Sequence, residues 1–414
     1  MSGEKDNKIR SFFKVLVRVI LVYIPGWLFL YPLALIVPKN RELVLFIGRD
    51  RGRFLDNVKY LFSHAYRQGP GAKILFLTEE MRTFNLLKKN RIPVTFHPSL
   101  KSFISLLRAR VIVVDNRLWI RKYKVYLAAR AKKVQLWHGV GFKKIETDNP
   151  SFNRTIINRL INILRWRLPK YTLLVSTSEF YTKNVFASTI KTEEIKEFGY
   201  PRNDVFFRDP DELDLLETDI DLINRVKKLK EEGYKLIIYA PTFRDFTDNE
   251  PIEGGFLDVD RLKEFAISRR FVFVMKFHPE VKVPEKFREN FPVFFYHKGK
   301  DIYPLLPVSD LLVTDYSSIY MDYLLTGKPV VFFPYDYETY VTVDREIQFD
   351  YEWITPGPKC YNQKELEAEI ERILINGKDN YMQRREEILN IAFKYRDGRA
   401  SERIWSYIKE RLLY

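Results

Sequence analysis

Residues 311–336 read L-L-V-T-D-Y-S-S-I-Y-M-D-Y-L-L-T-G-K-P-V-V-F-F-P-Y-D, and the fold follows from them. A short apolar run ends in Thr314, Ser317 and Ser318, a helical segment follows and stops at Gly327 and Pro329, and residues 330–333 form a second apolar run. Two buried strands joined by a helix make a parallel β-α-β unit. The hydroxyl residues at the carboxyl end of the first strand either cap the helix or, with the N–H groups of its first turn, receive an anion.

The same alternation extends outward in both directions. Apolar runs at residues 43–48, 73–77, 94–97, 111–115, 133–137 and 173–176 alternate with helical patterns at 54–68, 82–90, 100–108 and 151–167. Beyond an acidic stretch at 209–221 come a helix at 221–232, strands at 235–239, 271–275 and 293–296, and a helix at 261–268. A helical turn at 302–306 leads into the opening unit, and helices at 363–375, 381–393 and 400–413 close the chain. Short apolar strands alternating with helices predict parallel sheets covered on both faces, an α/β fold whose doubly wound pattern is repeated in the second half. The expected boundaries are a basic and apolar segment at 1–40, domains at 41–208 and 209–395, and an amphipathic helix at 396–414.

With 46% hydrophobic residues the chain is globular, and its single cysteine, Cys360, supplies neither a disulfide framework nor a thiolate metal site. The net charge of +15 is divided unevenly: residues 1–208 hold 39 Lys+Arg against 15 Asp+Glu, and residues 209–414 hold 30 against 39. A basic half suits a polyanion or an anionic membrane surface. The N-terminus selects the membrane. Residues 19–38 are uncharged and follow Lys5, Lys8, Arg10, Lys14 and Arg18. Pro25, Gly26 and Pro32 interrupt this run and aromatic residues are spread through it, so the expected form is helix, break, helix, lying in the cytoplasmic leaflet as a monotopic anchor. A buried core helix is the alternative reading. No nucleic-acid partner is expected, because base-stacking aromatics are not grouped into a motif.

Four strand ends carry polar sets. Residues 133–137 run into His138, Gly139, Val140, Gly141, Phe142 and Lys143, where glycines let the backbone turn and an imidazole suits proton abstraction from a hydroxyl. Residues 235–239 lead to Thr242 and Arg244, and residues 271–275 to Lys276, His278 and Glu280. The opening unit adds Thr314, Asp315, Ser317, Ser318 and Asp322. On adjacent parallel strands the last three sets would meet, with cations and hydroxyls forming a diphosphate cradle.

Six blocks carry a family resemblance: W-H-G-V-G-F-K at 137–143, G-Y-P-R-N-D at 199–204, Y-A-P-T-F-R-D at 239–245, K-F-H-P-E at 276–280, V-T-D-Y-S-S-I-Y-M-D-Y at 313–323 and F-D-Y-E-W-I-T-P-G-P at 349–358. In this order they resemble the CDP-glycerol glycerophosphotransferases, the teichoic acid primases and polymerases, with a departure at Val140 and Gly141. The resemblance implies a GT-B fold of two Rossmann-like domains, an N-terminal acceptor domain facing a C-terminal nucleotide-donor domain across a cleft. It implies transfer of glycerol phosphate from CDP-glycerol to a hydroxyl of a polyprenyl-linked saccharide, with release of CMP, at the cytoplasmic face of the membrane. On this resemblance His138 is the general base and His278 a catalytic donor-site residue. Thr242, Arg244, Lys276, Thr314, Ser317 and Ser318 hold the phosphates, Gly139, Lys143 and Asp315 line the substrate, and Glu280 and Asp322 touch ribose or glycerol. No cofactor is required, no metal ligands are assigned, and magnesium is left open. Chain length favours a primase. CDP-ribitol or a nucleotide sugar as donor, a polymerase, and a non-catalytic membrane-surface protein are the alternatives.

Overall fold

The computed structural model describes residues 21, 24–120, 123–145, 170–244, 251–252, 254–278, 281, 289–344 and 347–413. The basic helical pattern at 151–167 and Glu280 lie outside these residues. Two sheets form. The first contains β1 (Asn40–Ile47), β2 (Lys73–Thr78), β3 (Val94–Phe96), β4 (Ala109–Val114), β5 (Lys132–Gln135), β6 (Tyr171–Val175) and β7 (Thr192–Lys196), all parallel, in the order β3-β2-β1-β4-β5-β6-β7. The second contains β8 (Lys235–Ala240), β9 (Phe271–Met275), β10 (Glu289–Asn290), β11 (Val293–Phe295), β12 (Leu311–Thr314) and β13 (Val330–Phe332), in the order β10-β11-β9-β8-β12-β13. Only β10 runs antiparallel to its neighbour.

The continuous apolar runs are explained by burial on both faces. Along β1, Val44 and Phe46 enter one core cluster while Leu43, Leu45 and Ile47 enter another. Along β8, Leu236, Ile238 and Ala240 join the first of these clusters and Ile237 and Tyr239 a third. The cluster shared by β1 and β8 therefore runs through both halves. Two strands had no apolar run to announce them. β7 is a half-exposed edge strand with the sequence T-E-E-I-K, and β10 is only two residues long.

Strand order reverses between β1 and β4 in the first sheet and between β8 and β12 in the second. Open α/β sheets bind ligands in the crevice at such switch points, beyond the strands' carboxyl ends. Helices α1 (Tyr31–Ile36), α2 (Asp56–Arg67), α3 (Lys124–Leu127), α4 (Ile319–Tyr323), α5 (Met382–Ala392) and α6 (Ala400–Tyr407) position the rest. The chain returns through α5 to the first half, where α6 packs beside α2 and Trp405 lies 6.3 Å from Phe46 between ring centroids. Asp204 caps α6 from a distance, its carboxylate accepting from the Ala400 and Ser401 N–H groups at 2.9 and 2.8 Å.

The expected break at Pro25 and Gly26 is absent: residues 24–36 are continuously helical, with a π-helical stretch at Gly26–Leu30 leading into α1. Pro25 precedes the π-helical stretch and Pro32 stands just after its junction with α1. Gly26 lies against Tyr126 of α3 so closely that a Cβ would run into the ring. Among the described residues no helix is long and apolar enough to cross a membrane.

Candidate active site

In the first half the site is built around His138, which follows β5. Gly139 has φ +140°, a region that favours glycine, and Trp137 and Asp56 hold φ of 60° and 59°. Left-handed backbone at non-glycine residues costs about 1–3 kcal/mol each and persists where the surroundings enforce it. Here the enforcement is visible. Asn57 donates to the Trp137 carbonyl at 2.9 Å, and the Arg202 N–H donates to the Asn57 side chain at 3.1 Å.

His138 Nδ1 lies 3.2 Å from the carbonyl oxygen of Asp115, at the end of β4. A carbonyl only accepts, so Nδ1 carries the proton and Nε2 keeps its lone pair. Burial, reinforced by Arg49 and Arg202, lowers the imidazole pKa to about 4. The ring is therefore neutral at physiological pH, in the form a general base requires.

The groups around it are two carboxylates and two guanidinium ions. Asp56 accepts from Arg49 and Arg202, both at 2.6 Å. Burial alone would raise the Asp56 pKa, but Arg202 and Arg49 outweigh it and hold the group at about 2. Asp115, buried beside the Asp56 charge, is pushed well above the usual carboxylate range. Arg49, Asp56, Asp115 and Arg202 were not singled out from the sequence. The available signals were the V-V-D ending of β4 and the arginine in G-Y-P-R-N-D.

In the second half the three strand ends do converge, because β9, β8 and β12 are neighbours in that order. Thr242 Oγ1 is buried and has no hydrogen-bond partner among the described residues. The Lys276 amine is lowered to about 8 by burial and lies 5.2 Å from the centre of the Tyr296 ring. Ser317 and Ser318 are half-buried, and His278 is exposed and stacked on Phe243 at 4.8 Å. Lys143 lies 5.3 Å from the centre of the Tyr340 ring and bridges to Ile347.

Four of the expected ligand contacts, Arg244, Thr314, Asp315 and Asp322, have partners within the protein. Arg244, expected on a phosphate, is fully buried and donates through Nε and Nη2 to Asp336 at 2.8 and 2.9 Å. Its Nη1 donates to Asp315 at 2.8 Å and to the Thr242 carbonyl at 2.6 Å, and the rings of Tyr316, Tyr335 and Tyr340 enclose it. A guanidinium between two carboxylates is held by them. Arg244 therefore fixes the loop after β8 to the loop after β12. Asp315 completes this link by accepting from the Thr242 N–H at 2.7 Å. Thr314 is buried and donates to the Ala240 carbonyl at 2.7 Å. Asp322 is buried too, accepting from Arg202 at 2.5 Å, from Asn203 at 3.0 Å and from Tyr303 at 2.8 Å.

Arg202 joins the two halves, pairing with Asp56 in one and Asp322 in the other while donating to the His138 carbonyl at 2.8 Å. The glycine loop closes the same gap from the other side. A Cβ on Gly139 would sit 3.0 Å from Arg202 Nη2 and 3.1 Å from Ser318 Oγ, and one on Gly141 would sit 3.2 Å from Ser318 Cβ. The stretch quoted at the outset thus faces the His138 loop across the interface. Its helix α4 is five residues long and carries no side-chain cap.

Two largely parallel sheets, each with a switch point at its strands' carboxyl ends, give an α/β fold of GT-B type. The architecture matches a wall teichoic acid polymerase TagF structure, a histidine variant soaked with CDPG, with TM-score 0.73 and 21% identity over 98% of each chain. Residues 29–410 match the family CDP-Glycerol:Poly(glycerophosphate) glycerophosphotransferase, and the chain belongs to it. It is a glycerophosphotransferase. A teichoic acid glycerol-phosphate transferase of Staphylococcus aureus is 27% identical, over 88% of this chain and 92% of that one. A teichoic acid poly(ribitol-phosphate) polymerase of Bacillus spizizenii is 30% identical over 72% of this chain, which spans 46% of the polymerase.

Proposed function

We propose that the protein transfers glycerol phosphate from CDP-glycerol to a hydroxyl of a polyprenyl-linked saccharide at the cytoplasmic membrane face, adding one or a few units in the manner of a primase. The observation that carries this reading is the His138 geometry: Nδ1 is committed to the Asp115 carbonyl, which leaves Nε2 unprotonated on a residue whose following glycine loop meets Ser318 of the second half. In the reaction Nε2 takes the proton of the acceptor hydroxyl as its oxygen attacks the β-phosphorus, and the bond to the CMP oxygen breaks opposite. Thr242 Oγ1, Lys276, Ser317 and Ser318 are assigned to the diphosphate, and His278 stands at the edge of the same loop cluster. Arg244 and Asp315 act by holding these loops, and Asp322 by holding Arg202.

Membrane association is assigned to residues 24–36. Leu28, Phe29 and Ile36 are 63%, 68% and 77% exposed on a helix whose opposite side, through Trp27 and Tyr31, packs toward Tyr126. An apolar helical face next to a basic half is the arrangement of an interfacial helix on anionic lipid.

The test is incubation of the purified chain with a lipid-linked disaccharide and either CDP-glycerol or CDP-ribitol. CMP release from CDP-glycerol, with products one to a few units longer, is expected. Release from CDP-ribitol alone would reassign the donor, and long polymers would make the protein a polymerase.

A further inference from the structure

A second pocket lies in the first half, apart from the loop cluster assigned to the donor. It is a cavity of ≈ 560 Å³ lined by residues that include Gly48, Asp50, Glu79, Asn116, Trp119 and Lys124, at the carboxyl ends of β1, β2 and β4. That is the switch point of the first sheet, where an open α/β fold receives a ligand, and the volume is that of a small-molecule site. Its shape depends on backbone that costs energy to hold. Asp50 and Arg51 have φ of 47° and 69°, and Gly52 has φ +83° with no room for a Cβ, which would lie 2.6 Å from Thr78 Cα.

We infer that this cavity receives an uncharged saccharide unit of the acceptor, an assignment that rests on the glycerophosphotransferase reading. Among the described residues that line it the charges balance: Lys124 pairs with Glu79 inside the pocket, and at the rim Asp50, 3.5 Å from Arg49, is matched by Arg51, which donates to the Glu79 carbonyl at 3.4 Å. These lining charges sum to zero and so select no anion, whereas a polyol finds donors and acceptors on Asp50, Asn116 and the ion pair. Trp119 supplies an apolar wall of the kind that packs on the C–H face of a sugar ring, and its Nε1 is already bound to the Tyr171 hydroxyl at 3.2 Å.

Position connects the pocket to the chemistry on one side and the membrane on the other. Asn116 follows Asp115, whose carbonyl orients His138, and Asp50 follows Arg49, which pairs with Asp56. Lys124 belongs to α3, the helix on which Gly26 and Trp27 rest through Tyr126. A saccharide in this cavity stands between the exposed apolar helix and the base.

The experiment uses the full chain, a water-soluble octyl disaccharide glycoside as acceptor, and CDP-glycerol as donor. Asp50→Asn and Asn116→Ser should each raise the glycoside KM by about tenfold, the loss of roughly one hydrogen bond, with the CDP-glycerol KM unchanged. Glycoside titration should quench tryptophan fluorescence in the parent, and Trp119→Phe, which keeps the wall, should remove that quench. Unchanged glycoside KM in both polar variants, or the quench being produced by inorganic phosphate and not by the glycoside, overturns the assignment while leaving CMP release intact. Absence of CMP release in the parent would instead overturn the transferase reading.

Discussion

At the scale of single residues, His138 is the proposed base and Arg244 a group held by its neighbours. His138 titrates far below an ordinary imidazole because burial, Arg49 and Arg202 all oppose its protonation. The acid limb of kcat/KM should accordingly fall near pH 4 and not near 6.5, measured as CMP release across a pH series. The same shift acts on stability. An unfolded histidine binds its proton as pH falls through about 6.5, while the native one stays neutral until about 4, so His138 disfavours folding across that window. His138→Gln should lose less stability than the parent between pH 6.5 and 5 in urea denaturation; equal losses would show an unshifted imidazole.

Arg244 is the opposite case. Replacing it with Met leaves Asp315 and Asp336 buried against each other without a cation, a loss of about 3–5 kcal/mol. Arg244→Lys should recover only part, because an ammonium cannot fork to two carboxylates. A variant with unchanged urea midpoint that nonetheless fails to bind CDP-glycerol would return Arg244 to the phosphate.

Between elements, the critical contact is the His138-Gly139-Val140-Gly141 loop against the end of β12. Gly139→Ala meets two obstacles at once, a φ of +140° and the Ser318 and Arg202 side chains. Gly141 meets Ser318 alone. Gly139→Ala should therefore reduce kcat by about tenfold or more, by shifting His138, and Gly141→Ala by less. Steady-state rates of the two variants decide it; equal effects at both glycines would mean that backbone conformation is not the constraint.

The elements themselves were legible in the sequence to a large degree. Strands buried on both faces must be apolar throughout, so β1, β4, β8, β9 and β12 announce themselves, and the convergence of three polar strand ends follows from parallel pairing. What local pattern does not contain is which charges meet. Arg244 was visible, but the approach of Asp315 and Asp336 that occupies it is a tertiary fact. Asp322 was read as a ligand contact for the same reason, and its approach by Arg202, 120 residues away in the chain, together with Asn203 and Tyr303, is likewise a tertiary fact. Edge strand β7 and the unbroken N-terminal helix were missed where tertiary contact overrode composition.

Considered whole, the molecule is two sheets clamped by buried cations. Lys59 of α2 reaches Asp301 at 2.8 Å and the carbonyls of Asp214 and Leu216, much as Arg202 ties Asp56 to Asp322. Opposite charges drawn from both halves fix the distance between the His138 loop and the strand ends of the second sheet, the property a transfer reaction between the proposed base and donor sites needs. Membrane association is the role proposed for the exposed apolar helix. Leu28→Ser with Phe29→Ser should cut co-sedimentation with anionic phosphatidylglycerol vesicles several-fold while leaving turnover of a soluble glycoside unchanged. Undiminished vesicle binding would move the membrane contact elsewhere.

Single-turnover CMP release from CDP-glycerol by the parent and by His138→Ala, with donor binding measured by calorimetry, tests the central claim most directly. The expected result is a rate reduced by about 10²–10⁴-fold with donor affinity unchanged. Release at the parental rate, or parallel loss of donor binding, would contradict a base at His138.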